Sequence, residues 1–206
     1  MIFRLFFLLA VVCAASCFTP RKPPSAFGIP MEDSLFLDNA PLNNLSYNEY
    51  LHYLINPRSD TAAFWMSFPD TTLLIQRHPG FNARHIMKHP DFNDSALVGI
   101  SYDQALAYIR WRTEVVRRQL GGRIWYSLPS PEDFKKAERL AAGRTDKNNW
   151  KQLFEGPPEL TNVPGYVWVK SKEGGRLVPA TEVPAHEIGF RCKAELLPWT
   201  GSSAFY

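Results

Sequence analysis

The 206-residue chain is long enough to form a domain with a hydrophobic core, and its 45% hydrophobic and 14% aromatic content argues against intrinsic disorder. Its formal net charge of +3 results from 23 basic side chains and 20 carboxylates. The basic residues are not concentrated in any segment, so nucleic acid is not expected as a partner. Seventeen prolines predict many loops and little regular structure.

The first residues have the pattern of an export signal. A basic residue precedes an apolar run over residues 5–12, and small residues at 14–16 stand directly before Cys17. The run is too short to span a bilayer, so residues 1–16 are predicted to be a cleaved signal peptide. Small residues before a cysteine resemble the lipobox of bacterial lipoproteins, which implies that Cys17 is lipidated. Cleavage and secretion without a lipid is the alternative, and Cys13 is a weaker acylation candidate because a bulky valine precedes it.

The predicted lipid anchor determines how the rest of the chain is divided. Each buried methylene contributes about 0.8 kcal/mol, so the usual lipoprotein acyl chains on Cys17 would hold the protein at a membrane permanently. Cys192 would be the single thiol of the mature chain, which excludes an internal disulfide. Residues 17–33 are rich in proline and lack periodicity, which predicts an extended tether. The folded domain is predicted to occupy residues 34–206.

The predicted elements begin with a short strand in SLFLDNA. A helix follows in SYNEYLHYLINP, where Ser46 and Glu49 have the spacing of a capping box and Asn56 with the next proline ends the helix. Residues 60–94 contain aromatic residues, prolines and three histidines without clean periodicity. That stretch is predicted to form long loops.

The second half of the chain has clearer boundaries. ALVGI predicts a short buried strand or extended segment, and Ser101 with Gln104 predicts a second capping box on a helix that ends near Leu120. RIWYSLP predicts another extended segment. Ser130 and the proline after it predict the start of a helix that ends at Gly143. The strongest remaining strand candidates are YVWVK and GFRCKAEL.

The helix after Ser101 has an apolar stripe formed by positions 105, 108, 109, 112, 116 and 120. The stripe places Arg112 toward the core, whereas Arg110 and Arg117 are predicted to face solvent. An inward arginine must be paired, and its planar fork suits a carboxylate or several backbone carbonyls. Arg112 is therefore predicted to be a structural clamp.

Four segments, in order, resemble the sulfatase-modifying-factor domain of formylglycine-generating enzymes and their non-enzymatic relatives. LVGISYDQALAYIRWR is similar to the family's apolar strand and Ala-Tyr-Cys-Trp helix, and YSLPSPEDFKKAER is similar to its Arg-Leu-Pro-Thr-Glu-Ala-Glu-Trp segment. NVPGYVWV stands where the family has Asp-Met-x-Gly-Asn-Val-Trp-Glu, and GFRC matches its closing strand. The resemblance covers about residues 34 to 195. It implies an α+β fold of the irregular C-type-lectin-like kind, with short strands, a few helices and long loops.

A narrower resemblance joins FPDTTLL with HPDFNDSALVGISYDQALAYIRWRTEVV. Together they are similar to the lipoproteins of the gliding-motility and type IX secretion machinery of Bacteroidota, which are lipidated, periplasm-facing and structural. This chain is much shorter than the ring-forming members. The two resemblances imply structural roles for Trp111, Arg112, Gly189, Phe190 and Arg191.

The resemblance does not extend to the family's catalytic residues. Formylglycine-generating enzymes bind copper through a pair of cysteines, because soft thiolates suit Cu(I). The corresponding segment, SKEGGRLVPATEVPAHEIGFRC, contains only Cys192 and is shortened before GFRC. Ergothioneine-type relatives bind iron through three histidines on an additional helical domain, which has no counterpart here. We therefore expect no enzymatic activity and no cofactor.

A metal site is not expected from the other candidate ligands. The family's Trp-Glu carboxylate commonly coordinates calcium, but the resemblance places Val169 at that glutamate and Tyr166 at the usual asparagine, which leaves Asn162 as the matching oxygen donor. A structural calcium elsewhere stays open. His85 and His89 would share one face of a helix, but the nearby prolines and glycine predict a loop.

A binding role remains. The sequence predicts a non-catalytic lipoprotein of the outer membrane, facing the periplasm because no acidic residue directly follows Cys17, that acts as a structural or accessory subunit of a cell-envelope complex. Its expected partners are other envelope proteins and the membrane that holds its lipid, with no small-molecule substrate. The C-terminal LLPWTGSSAFY is a candidate contact segment. The alternatives are a metal- or oxygen-dependent enzyme of the same superfamily and a glycan-binding module that uses exposed aromatic residues.

Overall fold

The computed structural model describes residues 28–56, 58–120, 122–142, 153, 156–171 and 174–198. These residues combine α-helices with two antiparallel sheets, so the predicted α+β class is confirmed. The predicted signal peptide, Cys17 and the C-terminal residues 199–206 lie outside the described residues. Across the described ranges, no helix has both the length and the apolar character needed to cross a membrane.

The first sheet joins the two ends of the described chain. Its strands are β1 (Ile29–Pro30), β2 (Leu35–Leu37), β3 (Ile124–Ser127) and the last strand, Lys193–Leu196, in the order β1, β2, last strand, β3. All neighbours are antiparallel, and Ala194 lies opposite both Phe36 and Tyr126. The extended tether predicted for residues 17–33 is wrong at its C-terminal end, because β1 lies there and Ile29 and Met31 are buried in the domain. The folded part therefore begins before residue 34.

The second sheet consists of β4 (Glu159–Leu160), β5 (Tyr166–Val169) and β6 (Arg176–Pro179), in that order and antiparallel. A single parallel bridge between Glu159 and Gly189 connects this sheet to the GFRC segment. The last strand, Lys193–Leu196, is called β7. It covers only the end of the predicted GFRCKAEL strand, and residues 189–192 form a buried irregular segment before it.

The α-helices are α1 (Asn44–Ile55), α2 (Thr61–Ser67), α3 (Thr71–Arg77), α4 (Ala83–Lys88), α5 (Tyr102–Gln119) and α6 (Pro131–Ala142). Short 3-10 turns cover Pro90–Phe92, Ala180–Glu182 and Ala185–Glu187. The predicted helices α1, α5 and α6 are confirmed. The ALVGI segment is buried and irregular, and its one ladder contact is a bridge between Ala96 and Asn43.

The prediction of long loops over residues 60–94 is wrong, because α2, α3 and α4 lie there. Asp60, Asp70 and Asn82 precede these helices, and each accepts hydrogen bonds from backbone N–H groups of the first turn through its side-chain oxygen, at 2.8–3.3 Å. Such caps satisfy donors that have no partner within the helix. A helix of six or seven residues makes only about two turns, which is too short to show a periodic stripe.

The predicted caps of the longer helices have different outcomes. α1 begins one turn earlier than expected, since Asn43 is its cap and accepts from the Ser46 N–H at 3.0 Å. The capping box of α5 is confirmed: the Gln104 N–H donates to Ser101 Oγ at 3.2 Å, and Gln104 Oε1 accepts from the Ser101 N–H at 2.8 Å. The cap predicted for α6 is also present, because the Asp133 N–H donates to Ser130 Oγ at 3.1 Å.

The main core lies between α1, α5 and the first sheet. Along α5, Ala105, Tyr108 and Ile109 are buried as the stripe predicted. Leu120 contradicts the stripe because it is exposed beyond the end of α5. The buried Thr113 was not predicted, and its hydroxyl accepts from the Tyr126 N–H at 3.2 Å, which ties β3 to α5.

Candidate functional site

Arg112 lies on the inward face of α5 and pairs with the carboxylate of Asp38, which follows β2. Nη1 donates to Asp38 Oδ2 at 2.6 Å and Nη2 donates to Oδ1 at 2.9 Å, so the pair is bidentate. The guanidinium carbon lies 4.3 Å from the ring centroid of Tyr126. The side chains of Arg112 and Asp38 are only 19% and 15% exposed. The inward orientation and the carboxylate partner agree with the sequence expectation.

Asp38 connects this pair to the GFRC segment. Its Oδ2 accepts from the Cys192 N–H at 3.0 Å, and its backbone carbonyl accepts from Arg191 Nη1 at 3.0 Å. The two hydrogen bonds span 154 and 153 residues of sequence. Asp38 therefore joins α5 to the chain segment that leads into β7.

Arg191 forms a second ion pair inside the domain. Its Nε and Nη2 donate to the Glu159 carboxylate at 2.6 and 2.7 Å, and the Lys170 ammonium contacts the same carboxylate. Arg191 and Glu159 have no exposed side-chain surface. Burial alone raises the pKa of a carboxyl group, but the charges of Arg191 and Lys170 hold the pKa of Glu159 below its usual value. Glu159 is therefore ionised and fully paired at neutral pH.

Gly189 and Phe190 fix the backbone beside these pairs. The Gly189 N–H donates to the Pro158 carbonyl at 2.8 Å, and its own carbonyl accepts from the Leu160 N–H at 2.9 Å. A Cβ atom at position 189 would lie 3.1 Å from the Leu97 carbonyl oxygen, so glycine favours the close approach of these two chain segments. Phe190 is fully buried in the core.

Trp111 precedes Arg112 on α5 and packs among tyrosines. Its ring centroid lies 5.3 Å from that of Tyr50, 5.9 Å from that of Tyr53 and 5.4 Å from that of Tyr108. Its Nε1 is buried and has no hydrogen-bond partner among the described residues. The predicted site residues thus lie in two places: Trp111 is partly buried and packs against the aromatic core, whereas Arg112 joins the GFRC residues through Asp38.

The Cys192 thiol lies beside the Arg112 and Asp38 pair and is fully buried. Burial raises the pKa of this thiol to about 12. The thiolate, which is the nucleophilic and metal-binding form, is therefore scarce at neutral pH. This environment suits a packing role for Cys192 rather than thiol chemistry.

The residues considered for metal binding lie around the start of β5 and at the end of α4. Asn162 and Tyr166 are exposed, and the Thr161 hydroxyl donates within the same turn to the carbonyls of Val163 and Tyr166 at 3.4 and 3.3 Å. His85 and His89 lie at the end of α4, contrary to the loop expectation, with ring centroids 4.5 Å apart. Within the described ranges, no three His, Cys, Asp or Glu side chains are arranged to hold a metal ion.

The aromatic residues considered as a ligand platform are distributed between the core and the surface. Trp168 is fully buried and stacks on Phe134 with ring centroids 5.5 Å apart. Trp65 and Trp125 are 69% and 50% exposed. Trp150 and Trp199 lie outside the described residues.

Sequence reasoning missed the partners of the two arginines. Asp38 follows the apolar strand LFL, Glu159 stands beside Leu160 after two prolines, and Lys170 ends the YVWVK strand. The available signal at each position was a charged residue directly beside an apolar one. That signal identifies a candidate for burial, but it does not show which distant charge will be its partner.

We compared the chain with protein-family models, with curated proteins and with solved structures, and none of them matches it. The resemblance to the sulfatase-modifying-factor domain therefore rests on the four sequence segments alone.

Proposed function

We propose that this chain is a lipid-anchored, non-catalytic relative of the sulfatase-modifying-factor domain, with its irregular C-type-lectin-like fold. In this proposal Cys17 carries the lipid, and the domain faces the periplasm from the outer membrane. The protein acts as a structural or accessory subunit of a cell-envelope complex, and the gliding-motility or type IX secretion machinery is the candidate assembly.

The observation that carries the non-catalytic role is the pairing of the charged residues in the family-like segments. Arg112 is held by Asp38, and Arg191 is held by Glu159. A catalytic side chain must reach a substrate, whereas Arg191 and Glu159 have no exposed side-chain surface. These charges therefore suit a role in holding distant segments together.

The contacts between the family-like segments support the family assignment. The first segment meets the fourth where Gly189 approaches the Leu97 carbonyl. The second meets the third where Phe134 stacks on Trp168, whose Nε1 donates to Glu138 at 3.1 Å. The four segments therefore contact one another in two pairs, as the proposal of a shared fold requires.

The lipid anchor is tested by metabolic labelling with a palmitate analogue in a bacterium that processes lipoproteins. We expect Cys17→Ser to abolish labelling and release the protein from the membrane fraction, because acylation requires the cysteine thiol. Cys13→Ser is the matched control and should be labelled like the wild type. Equal labelling of Cys17→Ser and the wild type would contradict the anchor.

Metal analysis of the purified protein separates the subunit role from the enzyme alternative. Oxygen-using relatives depend on copper or iron, whereas a structural subunit has no need of either. We expect both metals to be far below one equivalent after preparation without chelators. One equivalent of either metal, retained on gel filtration, would favour the enzyme.

A further inference from the structure

Helices α1, α2 and α4 enclose a surface groove of about 870 Å³, which we call the α1–α4 groove. Its apolar lining includes Leu45, Ile55, Phe64, Trp65, Phe68 and Met87. This groove lies outside the ion-pair network of the candidate site, and none of the paired residues described there lines it. Its volume is in the range of the pockets in which proteins bind ligands.

The floor of the groove is the outer face of α1. Leu45 and Ile55 lie on this face and are 45% and 38% exposed. The opposite face already supplies the core with Tyr47, Tyr50 and Leu54. A surface helix normally carries polar residues on its outer face, as α1 does with Asn48 and His52, and the exposed Leu45 and Ile55 depart from that pattern. Ten residues of α-helix place Leu45 and Ile55 about 15 Å apart.

One wall of the groove presents a tryptophan in a fixed position. Trp65 is 69% exposed, and its ring centroid lies 5.0 Å from that of Phe64 and 6.0 Å from that of Phe68. The end of α2 is tied to α5 by Gln104 Nε2, which donates to the carbonyls of Met66 and Phe68 at 2.9 and 3.0 Å. An exposed aromatic side chain on a fixed backbone has the properties of an interface anchor.

The opposite wall of the groove is positively charged. Arg84 and Lys88 of α4 line it together with His52 of α1, and none of the described residues that line the groove carries a carboxylate. Neither Arg84 nor Lys88 forms an ion pair with any residue that the structure describes. α4 is held in place by Asn48, whose side-chain amide donates to the Met87 carbonyl. The groove therefore complements a ligand that is both apolar and acidic.

We propose that the α1–α4 groove binds an amphipathic helix of a partner protein, with apolar anchors on one face and acidic residues beside them. Recognition of an extended peptide by strand addition needs an open sheet edge, and the residues that line the groove are on helices and their connections. The spacing of Leu45 and Ile55 matches about three turns of such a helix. This proposal rests on the subunit role proposed above and identifies its docking surface.

The test is selection of binders from a library of random 16-residue peptides against the immobilised full chain. We expect the enriched peptides to contain apolar residues at helical spacing together with several Asp or Glu residues. Trp65→Ala should weaken an enriched peptide at least about tenfold, and Lys88→Glu should weaken it by charge repulsion. Trp125→Ala is the matched control, because Trp125 is also exposed but does not line the groove.

Three results would overturn the groove proposal. The first is failure to enrich acidic amphipathic peptides, and the second is equal binding of a peptide by Trp65→Ala and Trp125→Ala. The third is binding of the wild-type chain to phosphatidylglycerol vesicles, if Trp65→Ala abolishes that binding. The last result would assign the surface to a membrane. Circular dichroism of both tryptophan variants checks that each is folded.

Recovery of the complex from native membranes distinguishes a failure of the groove proposal from a failure of the subunit role. If Trp65→Ala is recovered in the same large complex as the wild type, the groove is not the docking surface, although the subunit role holds. If the wild type itself is recovered only as a monomer, the subunit role fails, and with it this proposal.

Discussion

At the scale of single residues, two inward arginines illustrate how this domain accommodates charge. Arg112 keeps 19% of its side chain exposed, whereas Arg191 is completely buried. Each guanidinium makes a bidentate contact with one carboxylate, and Arg191 also donates to the Asp38 backbone carbonyl. Removal of one partner from such a pair costs more than the net interaction, because the other charge remains buried without compensation.

Arg112→Ala is expected to lower the free energy of unfolding by about 3 to 5 kcal/mol, because Asp38 would lose its counter-charge in a mostly buried position. Urea denaturation followed by circular dichroism measures this change. Arg110→Ala on the same helix is the control. Because Arg110 is exposed, the urea midpoint of this variant should match that of the wild type. An unchanged midpoint for Arg112→Ala would refute the clamp.

The Glu159 network predicts a dependence of stability on pH. The pKa of Glu159 is lower in the folded chain than in the unfolded chain, so its contribution is present above about pH 4.5 and is lost as the pH falls below that value. Glu159→Gln should destabilise the protein at pH 7 by about 3 to 5 kcal/mol, because Arg191 would be stranded. The difference from the wild type should narrow at pH 3 to 4. Glu195→Gln, at an exposed position, is the control, and a difference that stays constant with pH would exclude this role for Glu159.

At the scale of elements, the sequence predicted helices where the cap and the apolar stripe are both long enough to detect. α5 has eighteen residues and a complete capping box, so its start and its inward face were both predictable. α2 and α4 have seven and six residues, and their one signal is the capping residue, Asp60 or Asn82. The same kind of signal was misplaced in α1, where Asn43 stood three residues before the expected cap. Short helices of this kind depend on packing more than on local pattern.

Gln104 has two roles, and this predicts a difference between two neighbouring substitutions. Ser101→Ala removes one cap hydrogen bond and should cost about 1 kcal/mol. Gln104→Ala removes the reciprocal bond and also the two bonds that hold the end of α2, so it should cost more and should accelerate hydrogen exchange in Thr61–Ser67. Mass-spectrometric hydrogen exchange measures the second effect. Equal exchange in α2 for the two variants would show that Gln104 does not fix this helix.

At the scale of the whole molecule, the sequence identified the segments but not their pairing. β2 pairs with β7 across more than 150 residues, and Asp38 and Arg191 meet at the same junction. Local pattern contains no information on such distant contacts, which explains why β1 was assigned to the tether and why Glu159 was missed. The same architecture places the paired charges inside and leaves the α1–α4 groove on the surface. In the function that we propose, the surface of this molecule binds partners, whereas its buried charges hold the fold together.

Membership of an envelope complex is the central claim, and extraction from native membranes tests it most directly. The tagged chain is solubilised in several mild detergents and analysed by native electrophoresis and gel filtration. We predict that it elutes with defined envelope proteins at a mass well above that of the 206-residue chain, and that Arg112→Ala reduces the recovered amount through loss of stability. Recovery of the wild-type chain as a monomer in every detergent would contradict the account.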